Sequence, residues 1–357
     1  MNSIPDDLVA FLDKYFIVTK DPIITLTRKK KSIINRVPTP SLSFSEISLS
    51  SLVTLNLSDN RLSSLPASFG SLTSLVNLNL SDNLLPSLPE SFGSLTSLVT
   101  LNLSNNRLTS LPASFGSLTS LVTLYLHYNR LSSLPDSFGA LTSLITLDLH
   151  NNYLTTLAPL PSSAAPLPSS AAPLPCSLLC SLRSLVTLNL SNNRLTSLPP
   201  SVGSLSSLIT LNLSNNLLTT LASEIPSSVE WFPSLVTLYL NNNRLTTLDS
   251  RSLTSLRNLY LSHNHLTSFP SLTLFPSLTT LYLDHNDLSS LPSGHSSSLI
   301  ILNLRSNPLR FNSPISFPPS VQSIDINLND LVISDFRSFL ILWYLGKMKE
   351  SLFTWKS

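Results

Sequence analysis

Residues 52–74 read LVTLNLSDNRLSSLPASFGSLTS, and residues 75–97 read LVNLNLSDNLLPSLPESFGSLTS, almost the same 23 letters again. Further units in this frame begin at Leu98, Leu121, Leu144, Leu185, Leu208, Leu235, Leu256, Leu278, Leu299 and Val321. Most are spaced by 21–27 residues; a single spacing of 41 separates Leu144 from Leu185. Self-similarity at such a period is the signature of a stacked repeat, and twelve registers that agree leave chance no role. Counting from the leading Leu, the apolar positions are 1, 4, 6 and 11, and Asn recurs at position 9.

The physics of one unit follows from these positions. In Leu55-Asn56-Leu57, alternate side chains of a short strand point to opposite faces, so the leucines face in and the residue between them faces out. One unit cannot bury its leucines alone; stacked units cover one another. Asn60, Asn83, Asn106, Asn129, Asn152, Asn193, Asn216, Asn243, Asn264, Asn286, Asn307 and Asn329 share position 9. Asn carries both a donor and an acceptor and tolerates tight turns, so an inward Asn ladder is expected where the chain leaves the sheet. Phe69, Phe92, Phe115 and Phe138, with Val202 later, precede Gly70, Gly93, Gly116, Gly139 and Gly203. A short helical or 3-10 turn over a Phe spine is expected there. Positive φ or a close backbone approach would require the glycine.

The pattern L-x-x-L-x-L-x-x-N-x-L resembles the leucine-rich repeat over residues 52–331. The resemblance implies an α/β solenoid or horseshoe of about twelve repeats. A parallel β-sheet would line the concave face and short helical or 3-10 turns the convex one. The Leu-Pro-x-x-Phe-Gly form is similar to the intracellular subgroup of Ras-pathway scaffolds and plant Ras-group repeat proteins. That likeness implies a protein-binding scaffold in signal transduction, with a small GTPase or a phosphatase as the partner to look for.

Composition narrows the classes. Leu supplies 80 and Ser 68 of 357 residues, too much aliphatic side chain for a disordered chain. No apolar run approaches the 18 residues or so of a spanning helix, the longest being Phe339–Leu345, so no transmembrane segment is expected. Residues 51–300 carry 8 basic and 10 acidic groups and no Lys, which argues against nucleic acid. The only cysteines are Cys176 and Cys180, too few for disulfide caps. The N-terminus MNSIPDDLVAFLDKYF has aspartates where an export signal has lysines. Asn-Leu-Ser sequons beginning at Asn56, Asn79, Asn102, Asn189 and Asn212 fall on the expected strands, where glycans would intrude. A reducing, cytoplasmic setting and a monomer are expected. The alternative is an extracellular or surface-associated recognition or adhesion protein.

Residues 1–51 read as an N-terminal capping segment. Ile4, Leu8, Phe11, Leu12, Tyr15 and Phe16 stand at helical spacing behind Ser3 and Pro5. Residues 332–357 read as a C-terminal capping helix built on Phe336, Phe339, Leu340, Trp343 and Tyr344. Arg28-Lys29-Lys30-Lys31 reads as solvated surface. Residues 158–175, A-P-L-P-S-S-A repeated, form an 18-residue insertion expected to be an extended loop with no core.

Outward side chains at positions 3, 5, 7 and 8 would make the binding face. Most are small and polar, with two exceptions. One patch combines Tyr239, Tyr260 and Tyr282 at position 5 with Asn242, His263 and His285 at position 8 and Asp284 at position 7. The other combines Tyr125, His127, Tyr128, Asp148 and His150. Neighbouring strands lie about 4.8 Å apart, so the three tyrosines should form a stripe of the kind that anchors partners. His127, Asp148 and His150 have ligand chemistry, but paired surface histidines read more simply as polar contacts, so no metal and no cofactor are expected. G-x-x-x-x-G-K-[ST], G-x-G-x-x-G, H-E-x-x-H and G-x-S-x-G are absent from the sequence, and no catalytic residue is assigned.

Overall fold

The computed structural model describes residues 5–17, 27–28, 52–157, 179, 181–221, 231–248, 253–294, 296–311, 318, 320–326 and 332–333. The chain divides into two compact units, Met1–Leu185 and Val186–Ser357.

The first unit opens with helix α1 (Asp6–Tyr15), then β1 (Phe16–Ile17) and β2 (Thr27–Arg28), which pair antiparallel. Repeat strands follow: β3 (Thr54–Asn56), β4 (Asn77–Asn79), β5 (Thr100–Asn102), β6 (Thr123–Tyr125) and β7 (Thr146–Asp148). Each pairs in parallel with the next, so that Leu55, Leu78, Leu101, Leu124 and Leu147 form one row. The second unit has β8 (Thr187–Asn189), β9 (Thr210–Asn212), β10 (Thr237–Tyr239), β11 (Asn258–Tyr260), β12 (Thr280–Tyr282), β13 (Ile301–Asn303), β14 (Arg310–Phe311), β15 (Ser323–Asp325) and β16 (Val332–Ile333). Here Leu188, Leu211, Leu238, Leu259, Leu281, Leu302 and Ile324 form the corresponding row. β14 pairs separately with β16. The expected parallel-strand solenoid is thus present, one strand per repeat.

The leucines at positions 1, 4, 6 and 11 are the core; Leu98, Leu101, Leu103 and Leu108 are all fully buried. Each such Leu contributes about 1.5–3 kcal/mol before ordering entropy is set against it. On the return side, 3-10 turns cover Ala67–Ser71, Glu90–Ser94, Ala113–Ser117, Asp136–Ala140 and Pro200–Ser204. Each follows a proline whose ring sets φ between −65° and −68° at the turn entry. Beneath the first four, Phe69, Phe92, Phe115 and Phe138 stack in parallel with centroids 6.1, 6.3 and 6.2 Å apart.

The glycine after Phe69, Phe92 and Phe115 is required by close approach rather than by positive φ. A Cβ on Gly93 would meet the carbonyl oxygen of Ser114 and lie 2.6 Å from its Cβ, and one on Gly70 or Gly116 would meet Ser91 or Ser137 in the same way. Hydroxyls clamp the same contact: Ser114 Oγ donates to Glu90 O at 2.5 Å, and Ser91 Oγ donates to Ala67 O. Gly93→Ala therefore pushes two rungs apart. We expect a loss of about 1–3 kcal/mol in thermal or urea unfolding, as for other overpacked sites. An unchanged midpoint would contradict this account.

The position-9 Asn residues from Asn60 to Asn307 are buried. Asn83 Nδ2 donates to Leu57 O, Leu80 O and Ser81 O at 2.9–3.0 Å, while its Oδ1 accepts from Leu62 N at 2.8 Å. Within each unit, Asn106, Asn129, Asn152, Asn216, Asn243, Asn264, Asn286 and Asn307 likewise donate to a carbonyl of the preceding rung. Asn60 Oδ1 alone among these oxygens is buried without a partner among the described residues. The tight turn lies one residue earlier than the Asn itself. Asp59, Asp82, Asn105, Tyr128, Asn151, Asn192, Asn215, Asn242, His263, His285 and Ser306, all at position 8, have φ between 52° and 58°.

Three expectations need correction. Position 7 is not always open to solvent: Ser81, Ser104, Ser191 and Ser214 are buried, and Ser104 N and Oγ both donate to Asn102 Oδ1 on the strand face. Phe16 starts β1 rather than ending the first helix. Val332 and Ile333 form β16, where β-branched side chains suit an extended backbone, rather than starting a helix. α1 itself starts at Asp6 and buries Leu8 completely. Ser3, Ile4, Lys29–Lys31, the insertion 158–175, Cys176, Cys180, Asn329 and residues 334–357 lie outside the described residues.

Candidate functional site

An in-register parallel sheet places the same position of successive rungs side by side, so identical letters become a row. On the second unit, Tyr239, Tyr260 and Tyr282 close β10, β11 and β12 and are direct partners in register. Their rings stack, with centroids 4.7 Å apart at 8° and then 5.3 Å apart at 24°. All three are half-buried, their ring faces against one another and their edges outward. The middle hydroxyl of Tyr260 is held above the usual phenol range by burial first, and then by the neighbouring Tyr239 and Tyr282, whose charge it would have to share.

Beside the stripe, His263 and His285 stack at 4.2 Å and 8°. Asp284 accepts from Ser262 Oγ at 2.6 Å. Asn242 occupies the same left-handed position one rung earlier and is exposed. These residues lie on three consecutive rungs, the tyrosines in one stack and the two histidines in another.

The second patch, on the first unit, is tighter. His127 and His150 stack at 4.5 Å and 10°. Asp148 lies against both: its Oδ1 is 2.6 Å from His150 Nδ1 and its Oδ2 is 3.6 Å from His127 Nδ1. His127 Nδ1 is buried yet has no hydrogen-bond partner, since 3.6 Å is an ion-pair distance and not a hydrogen bond. Burial lowers the His127 pKa below its usual value, and His150 adds to that; Asp148 and Asp82 pull the other way. Tyr125 and Tyr128 meet His127 edge-on at 6.1 and 5.9 Å, and Tyr128 meets His150 at 5.1 Å.

Sequence reasoning missed the strain at Tyr128. Position 8 is mostly Asp, Asn or His, side chains that tolerate φ > 0. Tyr128 is the bulky exception, held at φ 53° and 52% exposed. The letter pattern at position 8 carried the signal, because a lone Tyr among Asn and Asp marks a place where local backbone preference is overridden.

Comparison with known proteins follows this geometry. Family models for leucine-rich repeats match residues 51–72, 77–160, 183–227 and 233–288. A leucine-rich repeat protein of Leptospira interrogans is similar at 30% identity and TM-score 0.51, over 86% of this chain and 85% of that one. The Arabidopsis receptor kinase HAESA, solved with the peptide hormone IDA and the co-receptor SERK1, is similar at 30% identity and TM-score 0.56. That match covers 72% of this chain but only 42% of the receptor chain. The leucine-rich repeat domain of APL1B shares the fold at TM-score 0.62 and 21% identity, over 87% of this chain and 90% of that one. No curated protein matches the sequence. With the repeats, the stacked parallel strands and the Leptospira relative in agreement, this chain belongs to the leucine-rich repeat proteins.

Proposed function

We propose that this chain is a non-enzymatic protein-binding scaffold that presents the strand face of its repeats to a protein partner in intracellular signalling. The observation that carries the reading is the tyrosine stack of the second unit. Three aromatic rings, already ordered by stacking on one another, cost little further entropy when a partner covers their edges. Aromatic residues of this kind dominate interface energetics. The exposed His263 and His285 and the half-exposed Asp284 supply a polar rim beside them.

The sequons support a non-secretory setting. Asn102 Oδ1 accepts from Ser104 N at 3.0 Å and from Ser104 Oγ at 2.7 Å, and Asn189 is bonded to Ser191 in the same way. A glycan on either Asn would break that local network and cover the strand face. The subgroup resemblance makes a small GTPase or a phosphatase the first partner to test. Among the described residues no helix is long and apolar enough to cross a membrane.

The competing reading, recognition at a cell surface, draws on the Arabidopsis receptor, which holds a peptide hormone. Affinity purification with mass spectrometry from fractionated cells separates the two. Replacing Tyr239, Tyr260 and Tyr282 together by Ala should weaken capture of the specific partner at least tenfold while leaving the melting temperature nearly unchanged. Equal capture by the triple variant would remove the stripe from the binding face.

A further inference from the structure

The geometry assigns a second role to the histidine patch of the first unit: we propose that His127, Asp148 and His150 bind a divalent transition-metal ion of the zinc class. The register creates the cluster. His127 and His150 both occupy position 7 of consecutive rungs, and Asp148 stands two residues before His150 on the same face of the sheet. Each of the three offers one ligand atom, and these atoms all lie within 4.8 Å of one another.

Zinc bonds of about 2.0–2.2 Å in tetrahedral geometry place ligand atoms a little over 3 Å apart. The 3.6 Å between His127 Nδ1 and Asp148 Oδ2 already approaches that edge. The 2.6 Å between His150 Nδ1 and Asp148 Oδ1 is a hydrogen bond, and the ion would take the place of its proton. That proton moves through solvent to Nε2 of the same ring, so the imidazole stays neutral. The stacked rings must turn by side-chain rotation to converge, a change that leaves the strands in place.

Two observations set this cluster above ordinary surface histidines. His127 Nδ1 is buried and has no hydrogen-bond partner, although it faces a carboxylate. A ring nitrogen left without a partner is costly in a folded protein, and once free of its proton it is a ligand that a cation would satisfy. The donor set, two imidazoles and one carboxylate, suits zinc, nickel or copper rather than magnesium or calcium. It also leaves a coordination position open for water or for a group from a partner. The second cluster, His263, Asp284 and His285, has a similar span, but both its histidines are exposed and neither has a buried, unpartnered nitrogen.

Isothermal titration of the full chain with Zn2+ at neutral pH tests the proposal. Co2+ absorption gives a second readout, since its visible bands report coordination geometry. We expect saturable binding at micromolar concentrations. The double variant His127→Ala, His150→Ala should weaken it at least tenfold, and Asp148→Asn should weaken it to a lesser degree. Both variants lie on the outward face, and a circular-dichroism melt like that of the wild type would establish that they fold. Absence of heat beyond the buffer blank in the wild-type chain overturns the proposal. So does undiminished binding by the folded double variant, or binding that is lost only when His263 and His285 are replaced.

Discussion

Asn106→Ala is expected to cost about 3–5 kcal/mol, among the largest single losses available in this chain. Asn106 Nδ2 donates to Leu80 O, Leu103 O and Ser104 O at 2.8, 3.2 and 3.2 Å, and its Oδ1 accepts from Leu85 N at 3.0 Å. Alanine leaves Leu85 N buried without its partner and takes one bond from each carbonyl, although Leu80 O keeps Asn83 Nδ2, Leu103 O keeps Asn129 Nδ2 and Ser104 O keeps Asp82 N. Each unmet buried polar group costs about 1–3 kcal/mol, partly relieved where a carbonyl keeps a second bond. The damage should be local, because a rung contacts only its neighbours. Hydrogen exchange at Leu85 N should therefore accelerate more than exchange in the sixth and later repeats. Thr109→Ala, at an exposed site in the same rung, is the control and should change stability by less than about 0.5 kcal/mol. If the two variants melt together, the ladder is not what joins the rungs.

Leu126→Ala is the second large effect, at about 2–5 kcal/mol. Leu126 is fully buried just past β6, and its N–H donates to Asp148 O at 2.8 Å. Its carbonyl is held from both sides, by Asn129 Nδ2 and Asn152 Nδ2, each at 3.0 Å. The pinned backbone cannot collapse into the space that the side chain leaves, so the cavity contribution should be near its full size. Leu126→Met, which nearly conserves volume, should cost less than about 1.5 kcal/mol. Urea unfolding of the two variants separates a packing role from a backbone role. Equal losses would mean that side-chain volume is not what matters there.

The amino-acid sequence by itself determined the rung. Leu at positions 1, 4, 6 and 11 and Asn at position 9 dictate a strand, a turn and a return, since one unit cannot bury its apolar side without the next. The two candidate patches were legible for the same reason: equal spacing along the chain becomes adjacency across a parallel sheet. What only the tertiary structure decided lies between rungs. The glycines Gly70, Gly93 and Gly116 answer to a carbonyl one repeat away, which no reading within a unit can see. The serines at position 7 of four rungs are buried, a burial that only the packing of neighbouring rungs decides, since Ser58 makes the same bonds to Asn56 and stays half-exposed. His127 is left with an unpartnered nitrogen because Asp148, on the next rung, is drawn closer to His150. Periodicity specifies which side chains become neighbours; the distances at which they meet, and so their chemistry, are set by packing that each rung receives from the one beside it.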